Sequence, residues 1–474
     1  MAGLNWKTAA DLADGFAKGD FDPIEVLQDC LAQADRHDAA INALVMVDRE
    51  GALIQARASA TRWATGAALG PLDGVPVLIK DILLTKGQPT LRGSWTVDAA
   101  GPWTEDAPCV ARLREAGAVL MARTTSPEIG WKGVTDSPRH GITRNPWDLT
   151  KTPGGSSGGA SAALAAGYAP LALGTDGGGS IRIPASFAGV FGLKPSFGRV
   201  PAWPLSPFGT VAHVGPMTRT VRDAALMLDV IARPDARDWH GLPYDATSSA
   251  LSGLGNGIKG LRVAYSPTLG YVQVDPQVAK AVRHAVDMMA DLGADIVEVD
   301  PGFDDPAEMF AVLWWVGARN ALGHIPRADW VRLDPGLAAV LDRAAGLSLD
   351  QYIAAQNARG AFGARMRQFM LNYDLMVTPT MPIAAFAAGQ LSPGPLGAQA
   401  WVNWTPFSYP FNLTQQPASS LNCGFTTAGL PIGVQIIGRM FEDAAVLRAS
   451  AAVEAVLAIW DRRPAMVGSG NPVP

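Results

Sequence analysis

Cysteine is scarce in this chain of 474 residues, which has only Cys30, Cys109 and Cys423. An odd number of cysteines so far apart matches neither a disulfide framework nor a zinc site. The N-terminal residues lack a basic stretch followed by an apolar one, and no apolar run reaches the ~18 residues of a membrane span. The sequence therefore predicts a cytoplasmic protein with no metal ion, no cofactor and no membrane partner.

Charge is also low. Charged residues make up 17% of the chain and the net charge is −5, whereas an average soluble protein has ~25% charged residues. Lysine and arginine form no cluster, which argues against nucleic acid as a ligand. The low charge favours a large buried core.

Histidine is rare as well, and none of the six lies in a string typical of a catalytic base. We expect each to be a surface residue or a hydrogen-bonded structural one: His37, His140, His213, His240, His284 and His324. The chain has no G-x-S-x-G nucleophile elbow and no G-x-x-x-x-G-K-[ST] phosphate loop. These absences disfavour a Ser-His-Asp hydrolase and a nucleotide site.

The most informative segment runs from Thr152 to Ser196, where two glycine-framed serines, Ser156 and Ser180, flank an apolar run. GGSSGG alone is typical of a flexible linker. However, residues 160–173 are almost all apolar or glycine, so we expect the segment to be buried. A buried glycine-rich backbone can turn its N–H groups toward a reacting atom, which favours an active site.

A lysine follows a predicted buried strand upstream, in PLDGVPVLIKDILLTKG. Val75, Val77 and Ile79 alternate along this strand, which leads directly into Lys80. A lysine at a strand end usually extends its ammonium group to solvent. If the group stays buried instead, desolvation lowers its pKa and the neutral amine can act as a general base for serine.

Three motifs in this order, GVPVLIKD, TPGGSSGG and GTDGGGSIRIPASFAGVFGLKPSFGRVP, resemble those of the amidase signature family. INALV, VGPMTRTVRDAALMLDVIA and GLPIGVQIIGRMFEDAAVLRAS also resemble family landmarks, so the similarity covers essentially the whole chain. The resemblance implies that Ser180 is the nucleophile, Ser156 a bridging serine on a cis peptide, and Lys80 the base.

The resemblance also implies supporting roles. Ser157 matches a supporting hydroxyl near the lysine, and the backbone N–H groups from Gly177 to Ser180 match the oxyanion hole, whose glycines are Gly177, Gly178 and Gly179. Asp176 and Arg182 match residues that hold this loop, and Gly130 and Trp131 fall at the acyl side of the substrate pocket. Family members often carry a larger residue at position 177, so the third glycine puts the rigidity of the loop in doubt.

The expected fold class is α/β, with one large domain over residues 1–474 and a mixed, mostly parallel central sheet flanked by helices on both faces. We place a helical region at about 1–65 and the catalytic core at about 66–215. Residues 261–299 predict a strand, helix and parallel strand. Helices are predicted after the N-caps Thr8 and Asp22, and a mobile loop at 389–399. Further strands are predicted at 75–79, 118–122, 375–378 and 432–437.

The resemblance implies hydrolysis of a carboxylic amide by water through an acyl-enzyme on Ser180, with esters, carbamates and anilides as further candidate substrates. Aromatic residues in segments that shape the family's substrate channel favour a small apolar or aryl amide: Trp314, Trp315, Trp401, Trp404 and Phe407. The alternatives are the glutaminase component of a tRNA-dependent amidotransferase and a non-catalytic binding module. The oligomeric state stays open, with a homodimer as the candidate.

Overall fold

Eleven strands form one mixed sheet in the computed structural model, which describes residues 3–394 and 400–468, Ala400 without its side chain. Two short strands form a separate hairpin. In chain order the strands are β1 (Leu44–Val47), β2 (Pro76–Lys80), β3 (Val119–Thr124), β4 (Asp136–Ser137), β5 (Gly141–Ile142), β6 (Leu171–Asp176), β7 (Phe191–Lys194), β8 (His213–Thr218), β9 (Arg262–Tyr265), β10 (Asp295–Glu298), β11 (Leu375–Pro379), β12 (Ala418–Phe425) and β13 (Pro431–Gly438).

Helices separate most of these strands. In the described residues they are α1 (Ala9–Lys18), α2 (Pro23–Ile41), α3 (Arg49–Ala64), α4 (Pro108–Glu115), α5 (Gly158–Ala165), α6 (Arg182–Ala188), α7 (Val221–Ile231), α8 (Pro276–Asp291), α9 (Ala307–Leu322), α10 (Pro335–Ala345), α11 (Leu349–Met370), α12 (Ala400–Asn403), α13 (Pro410–Leu413) and α14 (Asp443–Leu457).

The α/β class and the mixed central sheet are confirmed. The strand order is β1-β3-β2-β6-β8-β7-β12-β13-β11-β9-β10. Parallel pairing is confined to two groups of three strands, β3-β2-β6 and β11-β9-β10. The other neighbours in the sheet pair antiparallel.

The helix starts and the strand-helix-strand unit follow the sequence prediction. Thr8 and Asp22 each cap a helix in a capping box, with Asp11 and Glu25 as the reciprocal partners. The strands β9 and β10, which α8 connects along the chain, pair in parallel. The predicted loop at 389–399 lies partly outside the described residues, which omit 395–399.

Five strands of the large sheet were not predicted from the sequence: β1, β6, β7, β8 and β12. Glycine and proline explain part of this, because both are depleted in strand interiors. Strand β8 contains Gly215 and Pro216, and β6 contains Gly174. Burial on both faces of the sheet overrides these weak local preferences.

Two hydrophobic cores pack in this structure. The larger one surrounds β2, β3 and β6, with Ile181 among its members. The second, which we call the aromatic core, joins α9 to α11 and contains Ile183 beside a set of buried aromatic rings: Trp131, Phe187, Phe303, Phe310, Trp314, Phe362, Phe386, Trp401, Trp404, Phe407, Tyr409 and Phe411. Because Ile181 and Ile183 closely follow Ser180, the glycine-rich segment lies where the two cores meet.

Candidate active site

Parallel pairing of β2 with β6 brings Lys80 next to the glycine-rich segment. The pairs Val77–Leu171 and Ile79–Leu173 are in register, so both strands end at the same edge of the sheet. Lys80 is the last residue of β2 and is fully buried. Its amine nitrogen does not reach solvent, unlike that of an ordinary lysine at a strand end.

The Lys80 amine is surrounded by hydroxyl groups. Lys80 Nζ lies 2.7 Å from Ser156 Oγ, 2.8 Å from Ser157 Oγ and 2.8 Å from Thr175 Oγ1. Burial lowers the pKa of Lys80 well below its usual range, and the negative charge of Asp176 opposes this only in part. The lysine is therefore held as a neutral amine at lower pH than a solvent-exposed lysine would be.

The hydrogen bonds around Lys80 leave two hydroxyls, those of Ser156 and Thr175, free to point at its lone pair. Ser157 Oγ donates to the Thr175 carbonyl at 3.2 Å, so Ser157 must accept a hydrogen from Lys80. A neutral amine has two hydrogens to donate and one lone pair to accept. With Ser157 as one acceptor, one of Ser156 and Thr175 takes the second amine hydrogen, and the hydroxyl of the other can point at the lone pair.

Ser156 lies against a tight turn of the chain. The peptide bond between Gly155 and Ser156 is cis, as the resemblance implies. Gly130 has a φ of +75°, and a Cβ there would lie 3.2 Å from Ser156 Oγ and 2.9 Å from Ile82 Cδ1. The predicted pocket residue Gly130 is thus placed beside Ser156, while Trp131 is fully buried in the aromatic core.

Ser180 is brought to the same place by a backbone contact. The Ser157 N–H donates to the Ser180 carbonyl at 3.1 Å, and Ser180 is 6% exposed. The hydrogen bonds of the described residues do not join the Ser156 and Ser180 hydroxyls directly. The structure therefore brings together the three predicted catalytic residues, with the lysine-to-serine contact already formed.

The Asp176 carboxylate organises the turn that carries Ser180. It accepts hydrogen bonds from the N–H groups of Gly179 at 2.7 Å and Ile181 at 3.2 Å. The Gly179 N–H is therefore engaged by Asp176 in this structure. The oxyanion hole stays a prediction, and because the Gly179 N–H is already used, Gly177, Gly178 and Ser180 are its candidate donors.

Asp176 is itself held by Arg182, as predicted. Two bonds of 3.0 Å join the guanidinium to the carboxylate, and both side chains are fully buried. Burial alone would raise the pKa of Asp176, but the charge and hydrogen bonds of Arg182 outweigh it and hold that pKa far below its usual range. The carboxylate is therefore ionised at neutral pH.

Sequence reasoning missed the residues that complete this support. Asn412 donates to Asp176 Oδ1 at 2.8 Å, and Arg182 donates to Ser408, Asn412 and Gln435. These partners lie more than 200 positions away in the chain and carry no local signal. Thr175 stands next to Asp176 in the GTDGGGS motif and was the missed residue with the clearest sequence signal.

Replacing Asp176 by asparagine is expected to lower both stability and activity. The substitution leaves Arg182 as an uncompensated buried charge, and breaking a buried pair in this way costs about 3–5 kcal/mol. Chemical denaturation measures the loss of unfolding free energy. The kcat for amide hydrolysis measures the effect of disordering the turn that carries Ser180. The matched control is Asp342→Asn, which breaks the exposed pair with Arg327 and should leave both quantities unchanged. Equal effects of the two substitutions would contradict the role given to Asp176.

Each glycine of the turn is packed by a different side chain. A Cβ at Gly177 would lie 2.9 Å from the Trp314 ring, and one at Gly178 would lie 2.7 Å from Phe310. A Cβ at Gly179, where φ is +118°, would lie 2.4 Å from Ser408 Oγ. Although three glycines in a row raise the entropy lost on ordering, this packing holds the turn in place.

The buried histidine His213 has a structural role. His213 is buried, and its Nδ1 lies 2.8 Å from the Val211 carbonyl and 3.2 Å from the Asp176 carbonyl. Burial and the nearby Lys194 lower the pKa of His213 well below its usual range. No histidine of the described residues is hydrogen-bonded to Ser156 or Ser180.

Residues 3–394 and 400–468 contain neither a cluster of metal ligands nor a membrane-spanning helix. No group of three or more His, Cys, Asp or Glu side chains there is arranged to hold a metal ion. None of the helices in this part of the chain is both long and apolar enough to cross a bilayer.

Comparison with known proteins decides the family. The family model described as Amidase matches residues 25–447. The chain belongs to the amidase signature family. It is an amidase, a hydrolase of carboxylic amide bonds.

The relatives of this amidase include both free-standing hydrolases and components of amidotransferases. It is 39% identical to an acylamidase of Rhodococcus erythropolis over 98% of each chain. It is 35% identical to a glutamyl-tRNA(Gln) amidotransferase component of Chloroflexus aurantiacus, over 98% of this chain and 100% of that one. Among solved structures, a bacterial aryl acylamidase of the amidase signature family matches with a TM-score of 0.89 at 29% identity, covering 99% of each chain.

Proposed function

We propose that this amidase hydrolyses small apolar or aryl amides through an acyl-enzyme on Ser180, with Ser156 and neutral Lys80 as its proton relay. The observation that carries the proposal is the buried Lys80 amine, whose nitrogen lies 2.7 Å from the Ser156 hydroxyl. An uncharged amine in that position is a general base at neutral pH. Serine without a histidine needs such a base.

In the acylation step Ser180 Oγ attacks the amide carbonyl carbon and gives its proton to Ser156 Oγ. Ser156 passes its own proton to Lys80 Nζ. The carbonyl oxygen gains negative charge, which the N–H groups of Gly177, Gly178 and Ser180 stabilise. Removing one donor of this kind typically costs about a hundredfold to a thousandfold in rate.

Collapse of the tetrahedral intermediate breaks the C–N bond. The proton on the relay moves through Ser156 to the leaving amine, and the acyl group stays on Ser180. Water then attacks the ester, losing its proton to the same relay, and the carboxylic acid leaves with Ser180 regenerated.

The aromatic core supports the choice of substrate. Trp314, Phe310 and Trp401 lie in contact range of the turn that precedes Ser180, so this turn is bordered by aromatic rings. The acylamidase relative and the aryl acylamidase structure point to the same substrate class. The amidotransferase relatives keep glutamine hydrolysis as the second candidate.

A substrate panel tests this proposal. Purified protein is incubated with acyl anilides, short aliphatic amides, aryl esters, carbamates and glutamine, and the released amine or ammonia is measured. We expect the highest kcat/KM for an acyl anilide or another aryl amide. If ammonia release from glutamine is the dominant activity, glutamine hydrolysis replaces the proposed function. If no amide is turned over, the non-catalytic binding module is the remaining alternative.

Trp131 is the predicted determinant of acyl selectivity. If its indole borders the acyl side, Trp131→Ala should raise KM for bulky or aromatic acyl groups and spare small acyl amides. The matched control is Trp147→Ala, because Trp147 packs on Phe425 and donates to the Ala188 carbonyl. Truncating a buried tryptophan costs about 3–5 kcal/mol of stability. A lower melting temperature with an unchanged ranking of substrates would assign Trp131 to the core alone.

A further inference from the structure

Trp314 on α9 contacts one of the two segments that surround the reacting serines. Its ring covers the Cα of Gly177, since a Cβ there would lie 2.9 Å from Cζ3 and 3.1 Å from Cη2. The side chain is 3% exposed. The six-membered ring of Trp314 thus occupies the space that a side chain at position 177 would need.

The other edge of the same indole holds the second segment. Trp314 Nε1 donates to the Trp131 carbonyl at 2.9 Å. Trp131 directly follows Gly130, which lies against Ser156. One side chain therefore spans from the turn that carries Ser180 to the turn that borders Ser156.

The Trp314 ring is fixed by its neighbours on α9 and beyond. It stacks on Phe208 with ring centroids 4.0 Å apart and on Phe310 at 5.3 Å. Trp401 meets it edge-on at 5.3 Å. With three rings around it, the indole has no room to move away from either turn.

Backbone conformation does not require glycine at position 177. Gly179 has a positive φ, but Gly177 does not. A residue with a Cβ is therefore allowed there by the backbone, and the Trp314 ring is the obstacle to it. Gly177 and Trp314 therefore form a steric pair. A side chain at position 177 needs a residue smaller than tryptophan at position 314.

We infer that Trp314 is a positioning residue that fixes the Ser180 turn relative to Ser156, and that it does so as a coupled pair with Gly177. The inference rests on the proposed function of Ser180 as the nucleophile. Misplacing the turn by a fraction of an ångström misaligns the oxyanion donors with the reacting oxygen. The resulting loss falls on kcat, because the interaction is realised in the transition state.

A double-mutant cycle tests the pair. Gly177→Ala forces its methyl group against the indole and is expected to lower kcat about a hundredfold, the loss typical of a misplaced oxyanion donor. Trp314→Phe removes the N–H and the outer ring edge, and is expected to lower kcat about tenfold with KM little changed. In the double variant the methyl group has room, so the combined loss should not exceed that of Gly177→Ala alone.

Trp63 on α3 gives a matched control. It is half-buried, and its Nε1 donates to the Asp73 carbonyl at 3.0 Å. Trp63→Phe makes the same chemical change at a residue with no predicted part in the site, and kcat should stay at the wild-type value. Melting temperatures are measured for every variant. The Gly177→Ala variant keeps Trp314, so its result does not depend on whether Trp314→Phe is stably folded.

Two outcomes overturn the inference and are distinguishable. If a fluorophosphonate labels Ser180 in the wild type but the losses in the cycle multiply, to about a thousandfold, the pair is not coupled and the proposed function stands. An unchanged kcat in Gly177→Ala would also show that the pair is not coupled, and the proposed function would again stand. If Ser180 in the wild type is not labelled, the proposed function fails and the inference fails with it.

Discussion

Replacing Ser180 by alanine should abolish amide hydrolysis and leave the fold intact. Ser180 carries the sole hydroxyl group within residues 177–181, and loss of a serine nucleophile costs roughly 10⁴-fold or more in kcat. The Ser180 side chain makes no hydrogen bond among those of the described residues, so its loss should barely change the melting temperature. Release of amine from the best aryl amide measures the first effect, and thermal unfolding measures the second.

Ser161→Ala is the matched control for that experiment. Ser161 is a fully buried serine in α5 whose hydroxyl donates to the Gly158 carbonyl at 3.1 Å. Its replacement should preserve turnover. Residual activity of Ser180→Ala near that of Ser161→Ala would remove Ser180 from the mechanism.

The second large effect concerns the relay. Lys80→Met and Ser156→Ala should each lower kcat by several orders of magnitude, and the double variant should be scarcely worse than either single one. Residues that act as a unit lose their joint contribution when any member is removed. Kinetics of the two single variants and the double variant measure this. Losses that multiply would show that the two residues act separately.

The pH dependence identifies the base. Lys80 accepts a proton only when it is neutral, and burial lowers its pKa well below the usual lysine range. Activity should therefore rise with pH as Lys80 loses its proton and then level off, since only the neutral form is active. The control is Lys194→Met, because Lys194 is also fully buried with a lowered pKa, yet it contacts the Pro195 and Gln416 carbonyls. Lys194→Met should keep the rise of activity with pH. If that rise is lost in Lys194→Met but kept in Lys80→Met, the base is Lys194.

The residues proposed as catalytic could be singled out because local sequence carries their signal. Lys80 ends an alternating apolar strand, and Ser156 and Ser180 lie in glycine-rich strings on either side of a long apolar run. The α/β unit around α8 was predictable for the same reason, since Asp275 caps it and its apolar residues recur at helical spacing. In both cases the deciding residues are neighbours in the chain.

The support of the site was not predictable from local sequence. Asn412 and Gln435 reach Arg182 from a helix and a strand that only the folded sheet brings near, and nothing in their own segments distinguishes them. The contact of Trp314 with Gly177 has the same origin, because it joins residues 137 positions apart. The engagement of the Gly179 N–H by Asp176 depends on the turn geometry, which motif spacing alone does not specify.

The most direct test of the account is the site of covalent modification. The protein is incubated with a fluorophosphonate, digested, and mapped by tandem mass spectrometry, with Lys80→Met labelled in parallel. We predict one adduct per chain on Ser180 and a labelling rate in Lys80→Met reduced by orders of magnitude. A stoichiometric adduct on another residue, or equal labelling rates in the two proteins, would contradict the Ser180–Ser156–Lys80 mechanism.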